Sequence, residues 1–266
     1  MRIPIWQVDA FVTGGVFTGN PAAVCPLDAW LPDATLLAIA AENALSETAF
    51  LVPEGEGWHL RWFTPEVEVE LCGHATLASA HVVFEHLARG RDAVAFRTQA
   101  GTLTVTRDAA GRIALSLPRR PPAPAGPPPA LVRALGGRAP DATLLGRDYL
   151  AVLATEQEVR LLKPDLGAVS ELPGHGIVVT APASTPGVDF VSRYFAPQVG
   201  IPEDPVTGSA HCTLVPYWAD RLGRRTLEAL QVSRRGGRLA CEDQPDAGKV
   251  RIAGRAAEFL SGFLEV

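Results

Sequence analysis

Two glycines, Gly73 and Gly208, each open a stretch that reads as a buried helix, and each follows a copy of one motif. Arg61-Trp62-Phe63-x-Pro65-x-Val67 returns as Arg193-Tyr194-Phe195-x-Pro197-x-Val199, an offset of 132 (193 − 61) in a chain of 266 residues. The glycines themselves are 135 apart (208 − 73). The first turn of a helix presents backbone N–H groups without internal partners and about half a positive charge. A glycine there lets a carboxylate approach the backbone closely. Two such starts directed at one hollow would hold a carboxylate and stabilise negative charge developing beside it. Removing a proton from a neighbouring carbon requires that stabilisation.

Proton removal also needs a base. Glu47, in Asn43-Ala44-Leu45-Ser46-Glu47-Thr48-Ala49-Phe50, stands at a helix-to-strand junction beside strongly apolar residues. Such a setting tunes a carboxylate for proton transfer, although a glutamate there also serves as an ordinary solvated or capping group. His74 falls in the first turn of its helix, where the positive end favours a neutral imidazole able to donate or accept a hydrogen bond. Its repeat partner is Ser209, polar and also directly after the glycine. Asp204, four residues before Gly208, is placed to orient a polar substrate group or relay a proton, or simply to cap the loop. Glu70, three residues before Gly73, is a looser parallel.

Other chemistries fit poorly. Gly208-Ser209-Ala210 is not a hydrolase elbow, and no matching triad accompanies it. His74, His81 and His86 lack the spacing of a zinc helix, so no metal is expected. No phosphate loop or dinucleotide fingerprint is present, so no nucleotide cofactor is expected. Cys25 and Cys212 read as buried apolar residues.

A repeat of half the chain implies two similar domains. An apolar fraction of 47% and a charged fraction of 20% are those of a globular protein. A net charge of −5, with only scattered basic pairs, argues against a nucleic-acid partner. No apolar run is long enough to span a membrane. The start reads as a strand rather than a signal peptide, and the four cysteines form neither a disulfide framework nor a zinc ribbon, so a cytoplasmic setting is expected.

The sharpest compositional break lies at 118–129, where seven of twelve residues are proline. Such a stretch is stiff and unsuited to a sheet or helix interior, so it is read as a linker. The expected division is an N-terminal α+β domain over 1–117, the linker, and a C-terminal α+β domain over 130–255. A strand at 256–266 is expected to return to the first domain. Before the linker, the pattern predicts a helix capped by Asp33, strands at 48–52 and 58–63, and a central helix from Gly73 towards Gly90. Further strands are expected at 93–97, 102–107 and 113–117. After it come strands at 149–154, 176–180 and 188–195, then a helix from about Ser209 to Leu222 that Pro216 should kink. Strands at 229–233, 238–242 and 249–252 complete that half.

At these residues the chain closely resembles the PhzF-like (phenazine biosynthesis) isomerase family, within the diaminopimelate epimerase fold. The matching segments are Asp9 to Val24 with Thr18-Gly19-Asn20-Pro21, Asn43 to Leu51, Phe63 to His81 with Leu71-Cys72-Gly73-His74-Ala75-Thr76, and Glu203 to Trp218 with Glu203-Asp204-Pro205-Val206-Thr207-Gly208-Ser209-Ala210-His211. The resemblance implies two pseudo-symmetric α+β domains, each a curled, mostly antiparallel sheet around a central helix, and a homodimer. It implies a cofactor-independent isomerase in which a glutamate moves a proton between two carbons of a dihydro-hydroxyanthranilate ring. That glutamate corresponds to Glu47; the family's active-site histidine, aspartate and serine fall on His74, Asp204 and Ser209. Asn20, Gly73 and Gly208 are assigned to binding a small carboxylate-bearing metabolite. More distant relatives, amino-acid epimerases and racemases, use two opposed thiols; Cys72 fits one position, but Thr207 occupies the other. A two-thiol stereoinversion is therefore the weaker reading, and Cys72 is expected to be structural. A non-catalytic metabolite-binding or scaffold role is the remaining alternative, which retention of Glu47, His74, Asp204 and Ser209 disfavours.

Overall fold

The computed structural model describes residues 1–266. In chain order the elements begin β1 (Arg2–Ala10), β2 (Asn20–Pro26), α1 (Asp33–Asn43), β3 (Glu47–Glu54), β4 (Gly57–Phe63), β5 (Glu68–Val69) and α2 (Gly73–Val82). Then follow β6 (Ala93–Thr98), β7 (Gly101–Arg107), β8 (Ile113–Pro118), β9 (Ala123–Pro124), α3 (Pro129–Ala134), β10 (Ala142–Leu145) and β11 (Tyr149–Val152). Next are α4 (Glu156–Leu161), α5 (Leu166–Ser170), β12 (Ile177–Pro182), β13 (Phe190–Ala196), β14 (Ile201–Asp204) and α6 (Gly208–Leu222). The chain ends with β15 (Thr226–Gln231), β16 (Gly237–Gln244), β17 (Lys249–Gly254) and β18 (Ala256–Glu265). Two compact units result: Met1–Ser116 with Ala253–Val266, and Leu117–Ile252.

In the first unit the strands pair in the order β18, β1, β2, β3, β4, β6, β7, β8. Only β2–β3 and β4–β6 are parallel. Parallel neighbours cannot be joined by a tight turn, so each pair needs a crossover. Helix α1 makes the first, and α2 makes the second. Packed on β1, β2, β3 and β18, α2 is enclosed so completely that every residue except His81 is buried. Only small side chains such as Ala75, Ala78 and Ala80 tolerate that on all faces. Its two buried hydroxyls bond back along the chain, Thr76 Oγ1 to Cys72 O at 2.5 Å and Ser79 Oγ to Ala75 O at 2.7 Å. The helix ends earlier than the sequence suggests and widens into a π turn, Val83–Leu87.

The second unit repeats this plan. Its order is β9, β10, β11, β12, β13, β15, β16, with β11–β12 and β13–β15 parallel. The crossovers are now α4 with α5, and α6. The strand ranges predicted from sequence agree to within a few residues at each end. Helices α3, α4 and α5 had no counterpart in that reading, because each is at most six residues long and too short to show periodicity. Nor does the proline-rich stretch stay out of the sheet. Ala123–Pro124 pairs with β10 at its edge, where a missing N–H is tolerated. Helix α6 runs through Pro216 without interruption.

The repeated motif has a structural reason. Arg61 grips Glu68 with two bonds of 2.7 Å each, fastening β5 to β4, and its guanidinium lies 5.0 Å from the Phe63 ring centroid. Arg193 grips Glu203 in the same way, at 2.7 and 3.0 Å, fastening β14 to β13 over Phe195. These clamps set the turns that lead into α2 and α6. Arg61 also donates to Asp33 Oδ1 at 2.9 Å. Asp33 is therefore not a helix cap: Pro32 holds the capping position, and Asp33 is the first helical residue. Arg193 instead donates to the carbonyls of Val159 and Leu162 at 3.1 and 2.7 Å. Replacing Arg193 by Met leaves those acceptors and Glu203 without their donor. The expected loss is about 3 kcal/mol of stability, read by urea unfolding. An unchanged midpoint would remove this role.

Candidate active site

In the first unit three element starts converge. Gly19 has a φ of +72°, and a Cβ on it would lie 2.3 Å from Ala10 O, so only glycine turns the chain into β2 here. The next residue, Asn20, is fully buried. Ala44 ends α1 with a left-handed φ of 51°, which throws the chain into β3, and Asn43 Nδ2 donates to Thr48 Oγ1 at 3.1 Å. Glu47 thus starts β3, opposite Ala22 of β2, with a side chain 12% exposed. The third start is that of α2, where Cys72 stands in the N-cap position and makes no side-chain cap.

These residues surround one imidazole. His74 Nε2 lies 3.0 Å from Glu47 Oε2, and neither atom makes a hydrogen bond elsewhere. At Nδ1, Asn20 Nδ2 approaches to 3.2 Å and Cys72 Sγ to 3.5 Å. The Asn20 amide offers a donor and an acceptor, so a half-turn lets it serve either state of the ring.

Burial is the largest influence on His74 and opposes its charged form, but Cys72 and Glu47 together hold its pKa well above the usual 6.5. Burial and the Glu47 charge push the Cys72 thiol up, so it stays protonated at neutral pH. This corrects one expectation. The helix end does not keep His74 neutral, because a carboxylate at 3.0 Å outweighs the end of a helix dipole. The Cys72 sulfur packs against the same ring. Glu47, Cys72 and His74 could also offer ligand atoms to a metal, all within 4.8 Å of one another. However, Cys72 approaches Nδ1 while Glu47 approaches Nε2, so one ion could engage all three only if the ring turned.

The second unit carries its own polar group. Asp204 ends β14 and is 8% exposed, and Thr207 occupies the N-cap position of α6, as Cys72 does for α2. Thr207 Oγ1 donates to Asp204 Oδ2 at 2.5 Å. Gly208 opens the helix, and Ser209 follows, half-buried. Tyr194 lies opposite Asp204 in the β13–β14 ladder, and its hydroxyl donates to Asp148 Oδ2 at 3.1 Å. Burial and Asp148 push its phenol up, so it stays neutral. The sequence reading missed Gln231, which is fully buried and bonds both Asp204 and Thr207. The signal was a polar residue in step with Leu227 and Ala229 on the inward face of β15.

One turn into α6, His211 donates from Nδ1 to Thr207 O at 2.8 Å, and its Nε2 is buried without a partner. Burial lowers its pKa from 6.5 to about 4. The unfolded chain therefore binds a proton that the folded chain refuses between those values. Stability should fall by about 3 kcal/mol as pH drops through that window. Urea titrations at several pH values should show this slope, and His211→Gln should remove it. An equal slope in the variant would contradict the assignment.

Comparison with known proteins agrees with this architecture. The profile of the phenazine biosynthesis-like (PhzC-PhzF) family matches residues 8–262. The chain belongs to this family. An uncharacterized isomerase of Pseudomonas aeruginosa, one of its relatives, is 48% identical over 266 residues and covers 100% of both chains. The crystal structure of a PhzF-family protein from Enterococcus faecalis superposes with a TM-score of 0.94 at 46% identity, covering 100% of each chain. A probable proline racemase from Agrobacterium radiobacter K84 superposes with a TM-score of 0.66 at 12% identity, covering 99% of this chain and 92% of that one. At that distance the likeness shows the fold alone, which is the diaminopimelate epimerase-like α+β fold that PhzF proteins share with these enzymes. No helix is long and apolar enough to cross a membrane.

Proposed function

We propose that the chain is an isomerase that needs no cofactor and moves a proton between carbons of a small, cyclic, carboxylate-bearing substrate. The observation behind this reading is the shielded carboxylate of Glu47, 3.0 Å from His74 Nε2 at the first turn of α2. Glu47 takes the proton from carbon and returns it. The backbone N–H groups from Gly73 onward bind the substrate carboxylate, with Asn20 fixing His74 beside it. In the second unit, Asp204 and Ser209, with the first turn of α6 at Gly208, are the groups that would bind polar groups of a small substrate. His74, as a cation, favours the negative charge that develops after proton loss. Relatives named isomerases, and the family's phenazine-related name, support this class of reaction.

A two-thiol stereoinversion has less support. Thr207 stands where a second thiol would be, and its hydroxyl is engaged by Asp204. The test is incubation in heavy water with dihydro-hydroxyanthranilate and related cyclic carboxylates. Deuterium should enter a ring carbon. No incorporation into any of them would remove the reading.

A homodimer is also proposed. Strand β18 pairs along one side with β1 and exposes Phe259, Leu260 and Phe263, with Val266 exposed just after it, apolar surface of the kind that self-association covers. Sedimentation should give twice the 28.2 kDa chain mass. A single-chain mass at micromolar concentration would contradict it.

A further inference from the structure

The bonds around Gln231 have only one consistent direction. The Thr207 N–H can only donate, so the atom facing it at 2.9 Å is the amide oxygen of Gln231. The Gln231 NH2 group must then face the other way, where it meets two acceptors, Asp204 O at 2.8 Å and Thr207 Oγ1 at 3.2 Å. With Thr207 Oγ1 accepting from Gln231, its own proton is directed to Asp204 Oδ2 at 2.5 Å. Two residues along, Ser233 Oγ donates to Pro205 O at 2.8 Å and accepts from Gly236 N at 3.1 Å. The segment from Asp204 to Thr207 is therefore held by side chains from β15 and the turn after it. Asp204, Thr207 and Gln231 are buried, where a misdirected polar group is costly.

The corresponding place in the first unit is built differently. There Cys72 replaces Thr207, and Val69 stands opposite Trp62 in β4 where Asp204 stands opposite Tyr194 in β13. The duplicated scaffold thus keeps its clamps while its polar contents have diverged.

We propose that Gln231 is a positioning residue that fixes the Thr207 hydroxyl proton on Asp204, so that Asp204 meets the substrate as a hydrogen-bond acceptor. This rests on the reading that Asp204 contacts substrate. Asp204 then selects substrates that present a hydrogen-bond donor, an amine or a hydroxyl, and disfavours those that present only acceptors. Directionality in a buried network sets which polar group is tolerated.

Gln231→Glu tests this through pH. A protonated carboxyl can mimic the amide, accepting from Thr207 N–H and donating onward; an ionised one cannot donate, and it places a second negative charge near Asp204. The variant should therefore show a parent-like KM for dihydro-hydroxyanthranilate while the introduced carboxyl is protonated. KM should rise about tenfold once it ionises, with kcat changing less. Gln231→Leu should raise KM at every pH. Without any substrate, the Thr207 amide and hydroxyl proton resonances should titrate in Gln231→Glu and stay constant in the parent. A Gln231→Glu protein whose Thr207 resonances show no titration overturns the proposal. Titrating resonances with a parent-like KM at every pH would overturn its claim on recognition. Glu47→Gln, run in parallel, separates the two readings: fast exchange in that variant defeats the isomerase assignment, while the resonances still decide Gln231.

Discussion

Replacing Glu47 by Gln is expected to lower deuterium incorporation into substrate by a factor of about 10² to 10⁴, the contribution typical of a general base. The substitution keeps the volume and one acceptor oxygen but removes the group that takes a proton. Because the side chain is only 12% exposed and faces His74, water is poorly placed to act instead. Binding should persist, because the N–H groups at the start of α2 belong to the backbone. The loss should thus appear in kcat with little change in KM. Glu47→Asp should retain the charge yet withdraw it by one methylene, and an intermediate rate is expected. Exchange by Glu47→Gln at the parent rate would falsify the assignment.

The second large effect concerns His74. Its pKa is held above 6.5 by Cys72 and Glu47 against the cost of burial, and this fixes the sign of the pH dependence. A group raised on folding stabilises the native state fully below its unfolded value, and that stabilisation is lost as pH rises through the folded value. Parent protein should therefore lose stability on the alkaline side of 6.5, and His74→Gln should not. Below that pH the variant should be less stable than the parent by about 3 kcal/mol, because an unpaired carboxylate remains in a shielded place. Its exchange rate should fall about tenfold or more as the stabilising cation is lost. Urea unfolding and exchange, each against pH, measure both effects. A variant with the parent's alkaline decline would exclude the pair as its cause.

Much of this architecture is legible in the repeat. The recurrence of the arginine motif signals two like units because each arginine does the same job, clamping a two-strand turn ahead of a central helix. The all-round small residues of α2 announce a buried helix because nothing larger fits on every face. Glu47, His74 and Asn20, all within motif segments, lie together in the first unit. Less is legible where the answer depends on contacts distant in sequence. The charge of His74 follows from a carboxylate twenty-seven positions away (74 − 47), against a local helix end that suggested the opposite. The cap assigned to Asp33 failed because Arg61, from β4, competes for its carboxylate. Gln231 carries no motif, and its role exists only once β15 lies beside the start of α6. Short helices such as α4 depend on local capping, here Thr155 with Glu158, rather than on periodicity.

The central claim is that a single carboxyl moves the hydrogen, and the path of an isotopic label tests it most directly. Substrate deuterated at the reacting carbon should be converted in ordinary water under single-turnover conditions. A lone carboxylic acid, shielded as Glu47 is, should deliver part of that deuterium to the product carbon before solvent replaces it. Partial retention in the parent, with conversion abolished in Glu47→Gln, is the result expected. Complete loss of label to water, with conversion surviving in Glu47→Gln, would contradict the account.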